Sequence, residues 1–259
     1  MSSPRSMVTY HAKARGLALL EVLVAMAIAL MVMYAALGTL LISRGATAQV
    51  QELAQLQQQA SYAMHLIGLQ IRQAGAVDPV RDEDSGLYAF PAPGTDVDAG
   101  PKVFGTEGRD GASDTVTLSF APVRWPNPAA RAAWQYDCIG ARVENDERVQ
   151  ARFAIDTRRS SLVCRSLRGS QPVIGQVVDL QVRYRVVTAG VTRELDANQV
   201  EAAALWPSVM ALEVCLDLKG EERAPDSAAL RYRDCSDRER PRDGRVHQVI
   251  RHLFHLRNA

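Results

Sequence analysis

The sequence predicts an α+β protein in which one long N-terminal helix precedes an antiparallel β-sheet domain. An unbroken apolar run over residues 17–42 passes into residues 43–75, whose apolar positions recur at the period of one helical face. From residue 113 onward the apolar residues alternate with polar ones, as they do in strands with one buried face. One helix followed by strands is typical of the α+β class, so we expect the sheet to pack on the polar half of the helix.

The first 16 residues form a basic leader segment. It contains Arg5, Lys13 and Arg15 and no acidic residue. Because positively charged flanks stay on the cytoplasmic side of a membrane, we expect the rest of the chain to be exported. The whole chain has 30 basic and 29 acidic residues, a formal charge of +1. Bulk charge therefore does not indicate a protein that binds polyanions.

Residues 17–42 contain one charged residue, Glu21, and no proline. As a helix this run would be about 39 Å long, enough to cross the core of a bilayer. A carboxylate inside a membrane helix costs about 3 kcal/mol, so Glu21 needs a cationic partner that the helix itself lacks. An N-terminal amine created by a cut after Gly16 in a neighbouring subunit would provide one. A secretory signal differs, because its apolar core is shorter and precedes the cut.

Residues 43–75 are predicted to continue the same helix into water. One face is rich in glutamine, and Gly75 is typical of a helix C-terminus. Apolar residues follow one another on the other face at spacings of three and four: Val50, Leu53, Leu56, Ala60, Met64, Ile67, Ile71 and Ala74.

Residues 76–112 are predicted to be a loop, because prolines and glycines interrupt any period. Acidic residues cluster in this segment, and hard cations prefer several oxygen ligands. The spacing of an EF-hand is absent, so we assign no metal.

Six later segments have strand patterns, and the second and third form a predicted hairpin. They are residues 114–120, 149–155, 161–167, 176–187, 209–218 and 246–256. In two of them we expect alternate apolar residues to face the core: Val178, Leu180, Val182, Tyr184 and Val186, and then Met210, Leu212, Val214, Leu216 and Leu218. The charged stretch 219–245 is predicted to be a solvated loop that ends in a turn at Asp243-Gly244.

The four cysteines are Cys138, Cys164, Cys215 and Cys235, and no two form a C-x-x-C motif. An even number of cysteines in an exported domain indicates two disulfides. Three pairings are possible. We favour the pairing that is local in sequence, 138 with 164 and 215 with 235, in which each loop contributes about 3 kcal/mol.

Catalytic motifs are missing from the sequence. It contains no G-x-S-x-G, P-loop or H-E-x-x-H pattern, so we predict neither an enzyme nor a cofactor. His247, His252 and His255 are divided between the two faces of one strand and cannot form a local metal site. The arginines of residues 231–245 are interleaved with acids, so we expect no nucleic-acid partner.

The segment Gly16-Leu17-Ala18-Leu19-Leu20-Glu21 resembles the processing site of type IV prepilins. In that family a dedicated peptidase cuts after the glycine and methylates the new N-terminus. The glutamate at the fifth mature position pairs with the amine of the next subunit. The resemblance implies that Gly16 and Leu17 define the cut and the N-methylated end, and that Glu21 acts in assembly. It also implies a pilin-like fold.

Short segments of the rest of the chain resemble the large minor pilins of the PilW type. They include Arg72-Gln73-Ala74-Gly75, Cys138-Ile139-Gly140 and Trp206-Pro207-Ser208-Val209. This resemblance implies a minor-pilin complex that primes pilus assembly at the tip and supports twitching motility, adhesion or DNA uptake. The implied partners are other minor pilins, the major pilin, the prepilin peptidase and inner-membrane lipid.

The implied boundaries are a leader at 1–16, a transmembrane half-helix at 17–42, an amphipathic half-helix at 43–75 and a periplasmic β-rich domain at 76–259. The implied location is the inner membrane, with a single pass, and later the pilus on the cell surface. J-type minor pseudopilins of type II secretion systems share the leader and a similar Tyr184-to-Trp206 region, and are the alternative. An exported, membrane-anchored enzyme is the third possibility.

Overall fold

The computed structural model describes residues 19–76, 80–81, 88–89, 102–122, 136–143, 148–223 and 230–257. Helix α1, Leu19–Gln73, precedes a series of antiparallel strands, which confirms the predicted α+β class. The chain divides into two compact units, residues 1–48 and 49–259. Helix α1 belongs partly to each of them.

The described part of the first unit is the apolar portion of α1. Its segment Leu19–Leu41 has 23 residues and a mean hydropathy of 2.3, and none of its most apolar window is buried within the chain. By length and composition it is the one helix among the described residues that could cross a membrane.

The second unit is rich in strands. In its described residues the strands and the α-helix after α1 are β1 (Val80–Arg81), β2 (Tyr88–Ala89), β3 (Val103–Thr106), β4 (Thr115–Phe120), β5 (Val149–Asp156), β6 (Ser161–Ser166), β7 (Gly169–Ile174), β8 (Val177–Thr188), β9 (Val191–Leu195), α2 (Ala197–Ala202), β10 (Val209–Arg223), β11 (Arg231–Arg233), β12 (Glu239–Pro241) and β13 (Arg245–His255).

Two antiparallel sheets contain most of these strands. The five-stranded sheet has the order β3-β4-β5-β6-β7, and the four-stranded sheet has the order β13-β10-β8-β9. Two ribbons, β1–β2 and β11–β12, have two strands each. The segment predicted as a loop, 76–112, therefore contains β1, β2 and β3, which is a correction to the prediction.

One face of α1 and both sheets form a common hydrophobic core. The predicted apolar face is buried from Leu56 to Ala74, and Gly75, with φ of 74°, follows the end of the helix. At the start of that face the residues are not buried within the chain, since Val50 is 69% exposed and Leu53 is 37% exposed. The buried face there passes through Glu52 and Leu56, about one turn apart, so Leu53 lies about 80° away from its centre.

Most of the predicted strand faces are correct, but two residues are on the wrong side. Val178 and Met210 are 39% and 40% exposed, whereas Val177 and Val209 are fully buried. The pairing of β8 with β10 shifts register beside each of these positions. Such a bulge interrupts the alternation of faces, and the sequence pattern does not reveal where it falls.

Asp114 links the two sheets through buried hydrogen bonds. Its carboxylate accepts from the backbone N–H of Gly108 and of Val182, each at 2.8 Å, and its own N–H donates to the carbonyl of Leu180. Burial raises the pKa of Asp114 to about 6, although both backbone N–H groups favour the ionised form. The carboxyl thus fixes the start of β4 against β8.

We expect Asp114 to make the unfolding free energy depend on pH. Its pKa is raised from 3.8 to about 6 in the folded protein, so its contribution is fully present below the lower value and is lost as the pH rises through the upper one. The unfolding free energy of the natural protein minus that of Asp114→Asn should therefore fall by about 1–3 kcal/mol between pH 4 and pH 7. Denaturant unfolding in detergent measures both proteins, and a constant difference would contradict the assignment.

Candidate assembly site

Glu21 lies in the first turn of α1 and is exposed. Its neighbours on the helix surface are Val22, Ala25, Met26 and Ala29, all apolar. Among the residues that the structure describes, none forms a hydrogen bond or ion pair with its carboxylate. The predicted cleavage residues Gly16 and Leu17 lie outside the described residues.

The position of Glu21 in an apolar helix makes its ionised carboxylate energetically unfavourable in lipid. The positive end of the helix dipole favours a carboxylate there, by about 0.3–1 kcal/mol. A charge within a membrane-spanning helix costs about 3 kcal/mol, which is several times more. The dipole alone therefore does not stabilise the ionised side chain in lipid. A cation from another molecule would offset the remaining free-energy cost of this charge.

The four cysteines form two disulfides, in the pairing that is local in sequence. Cys138 is bonded to Cys164 of β6 at a sequence separation of 26, and both cysteines are buried. Cys215 of β10 is bonded to Cys235, which lies in the turn between β11 and β12, at a separation of 20 residues. The second disulfide therefore attaches the β11–β12 ribbon to the four-stranded sheet.

The charged stretch 219–245 is not the solvated loop that the sequence predicts. It contains the end of β10 and the β11–β12 ribbon, with Asp234 buried at its centre. The Asp234 carboxylate accepts from the backbone N–H of Ser236 and of Arg238, and from the Arg240 guanidinium at 3.0 Å. Burial opposes ionisation, but these donors hold the pKa of Asp234 below its usual value. The mixed charges thus organise a local fold.

His247 belongs to a buried polar cluster beneath this ribbon. Its Nδ1 atom lies 3.1 Å from Asp217 Oδ1, while the Tyr232 hydroxyl donates to Asp217 Oδ2 at 3.0 Å. The rings of His247 and Tyr232 stack at a centroid distance of 4.1 Å. Burial and the Asp217 charge raise the pKa of Tyr232. Because these groups satisfy one another, the cluster attaches the ribbon to the sheet.

The remaining histidines of β13, His252 and His255, are exposed. The ring of His252 contacts Phe254 at 4.5 Å. In the described part of the chain, no three histidine, cysteine or acidic side chains are placed to hold a metal ion.

Sequence reasoning identified Glu21 and the cysteines but not the buried carboxylates of Asp114, Asp217 and Asp234. Asp114 and Asp217 bind groups that come from other elements, so no local spacing marks them, whereas the partners of Asp234 all lie within six residues of it. The turn at Asp243-Gly244 was detectable, and both residues have positive φ, 49° and 75°.

No family model and no curated protein matches the chain. Among solved structures, the chain is similar to a type IV-like pilin from Thermus thermophilus, with 14% sequence identity and a TM-score of 0.44. The similarity covers 78% of this chain and 96% of that pilin. Resemblance at this level does not establish a family or a function, so the residues of this chain have to support any functional conclusion.

Removing the Cys215–Cys235 disulfide should release the β11–β12 ribbon. In Cys215→Ala/Cys235→Ala we expect backbone hydrogen exchange in residues 230–245 to rise at least tenfold and the unfolding free energy to fall by about 2–4 kcal/mol. The matched control is Cys138→Ala/Cys164→Ala, which opens a loop of similar length elsewhere. Exchange mass spectrometry in detergent measures both, and equal protection of the ribbon in the two variants would refute its attachment by this disulfide.

Proposed function

We propose that the protein is a minor pilin of a type IV pilus. The observation that carries the proposal is Glu21, a carboxylate without a partner among the described residues, in the first turn of a 23-residue apolar helix. A plain membrane anchor has no need of this costly charge. An assembling subunit does, because the charge can select and orient the neighbour that neutralises it.

The proposed mechanism involves no catalysis by this chain. Prepilin peptidase cuts after Gly16 and methylates the amine of Leu17. In the filament, the Glu21 carboxylate of one subunit pairs with the amine of a neighbour. Two opposite charges about 4 Å apart attract strongly once water is excluded, and this attraction offsets their loss of hydration. The remaining surface of the apolar helix is buried among the helices of other subunits.

The second unit supports the proposal because it gives the helix a compact exported domain. Its two disulfides fit an oxidising compartment. In this proposal residues 1–16 are the leader, 17–42 span the inner membrane, 43–75 form the amphipathic half of the helix and 76–259 are periplasmic before incorporation in the pilus. The partners are other minor pilins and the major pilin. The PilW type is the proposed class, with a role in priming assembly at the tip.

A J-type pseudopilin of a type II secretion system is the alternative, because its assembly would use the same chemistry. The region that resembles both classes is compact here, since the rings of Tyr184 and Trp206 meet edge to face at 5.0 Å. Deletion of the gene distinguishes the two. Loss of twitching with normal protein release supports the pilus, and the opposite result supports the secretion system.

The mature N-terminus tests the proposal most directly. We expect intact mass and peptide sequencing of protein isolated from its native membrane to show a chain that begins at N-methylated Leu17. A Gly16→Ala variant should remain uncut and provides the matched control. A natural chain that begins at Met1 would contradict the proposal.

We expect Glu21→Ala to be cut and retained in the membrane but to lose its pilin partners. Removing the carboxylate leaves the neighbour's amine without a counter-ion in an apolar environment, so recovery of partners should fall at least tenfold, equivalent to about 1.4 kcal/mol. Affinity isolation from solubilised membranes measures this recovery. Thr39→Ala, which changes another polar residue of the same apolar helix, should recover partners normally. Normal recovery with Glu21→Ala would exclude the pairing role.

A further inference from the structure

We propose that the outer face of the β5–β6 hairpin is a docking surface for an acidic face of another protein. This surface belongs to the second unit and is distinct from Glu21. The inference goes beyond the proposed function, because it holds whether or not the apolar helix enters a filament.

The charge of the chain is unevenly distributed around this hairpin. Residues 148–175 contain six arginines and one acid, Asp156, although the whole chain has a net charge of only +1. That acid is already engaged, since its carboxylate accepts from the backbone N–H of Arg158 at 3.0 Å. The hairpin is therefore a basic region on a nearly neutral protein.

The strand register concentrates two of these charges at one point. Arg152 of β5 lies directly opposite Arg165 of β6. Both are exposed on the outer face, because their neighbours Phe153 and Cys164 are buried in the core. Side chains directly opposite each other in adjacent strands are about 5 Å apart at Cβ, and like charges in such a pair are destabilising. This arrangement has a cost for the isolated domain.

Neither arginine of this pair has an acidic partner among the described residues. Three arginines of the four-stranded sheet differ. Arg183 lies 3.8 Å from Glu107, Arg185 lies 3.6 Å from Glu194, and Arg251 lies 2.9 Å from Asp237. These three arginines are thus paired with acids, whereas Arg152 and Arg165, directly opposite each other at the centre of the other sheet, are not paired within the described part of the chain.

The geometry favours carboxylates of a protein over a nucleic acid. Each guanidinium group can hold a carboxylate through two parallel hydrogen bonds, so the pair matches two neighbouring acidic side chains. Thr117 and Ser170 flank the pair in the same row across the sheet and offer short hydroxyl groups to a flat partner. The next arginine before β5, Arg148, lies about 13 Å from Arg152 along the extended chain. A nucleic-acid strand has a phosphate for about every 3.4 Å of helix axis, which is a much denser series.

Zero-length crosslinking tests the docking surface. The chain has only three lysines, Lys13, Lys102 and Lys219, so few amines compete. Arg152→Lys/Arg165→Lys keeps both charges and introduces two amines that a carbodiimide can couple to carboxylates in contact. In native membranes we expect peptide mapping to show these positions joined to aspartate or glutamate of another polypeptide. No such coupling, or coupling only within the chain, would overturn the proposal.

The matched control is Arg185→Lys/Arg231→Lys. These positions already face Glu194, Glu213 and Glu239, so their amines should couple within the chain. If the control variant couples to other polypeptides as often, the crosslinks arise from nonspecific proximity and not from docking. This result would also overturn the proposal.

A binding measurement with the full chain in detergent provides the second test. The probe is poly-L-glutamate, with duplex DNA of equal total charge as the comparison. We expect Arg152→Gln/Arg165→Gln to weaken binding of poly-L-glutamate at least tenfold, and Arg185→Gln/Arg231→Gln to change it less than twofold. Equal losses of affinity for poly-L-glutamate in the two double variants would show that binding depends only on net charge. Tighter binding of DNA than of poly-L-glutamate would show that the surface binds nucleic acid. Either result refutes the proposal.

Discussion

The second unit depends on the burial of one face of α1 against both of its larger sheets. Leu56, Met64, Ile67 and Ile71 lie in the same core as the inner faces of β4, β5, β8 and β10. The two sheets have separate hydrogen-bond ladders, so they are held together by the core they share with the helix, by the packing of β8 on β4 and β5, and by polar links such as Asp114. Without this face of α1 neither sheet would have a complete apolar layer to cover it.

The same helix has the opposite character in the first unit. Its apolar residues from Leu19 to Leu41 are exposed in the isolated chain, and one of its few polar groups is a carboxylate. A helix that is apolar around its circumference needs lipid or other helices as its surroundings. In the proposed function, the charge of Glu21 adds a requirement for a cationic partner. One continuous helix thus combines a domain core with an element that is incomplete in the monomer.

The sequence predicted the elements whose burial is one-sided and regular. The helical face from Leu56 to Ala74 and the strands around Leu118, Leu180 and Leu212 follow this rule. Strands β3, β7 and β9 were missed because they are short and apolar residues do not alternate with polar ones in their sequences, whereas β13, also at a sheet edge, is long enough to be predicted. The local pattern also gives no sign of a bulge, which explains the errors at Val178 and Met210. Among the candidate sites, Glu21 was visible as an isolated charge, whereas the Arg152–Arg165 pair appears only when the strand register is known.

The Cys215–Cys235 bond has a consequence for the order of events after synthesis. Its two cysteines bring the β11–β12 ribbon over Asp217, a carboxylate that would otherwise lack the Tyr232 hydroxyl as a donor. Thiols stay reduced in the cytoplasm and are oxidised after export. In the proposed function, this disulfide and the contacts around Asp217 would therefore form only after translocation, so that oxidation would precede assembly.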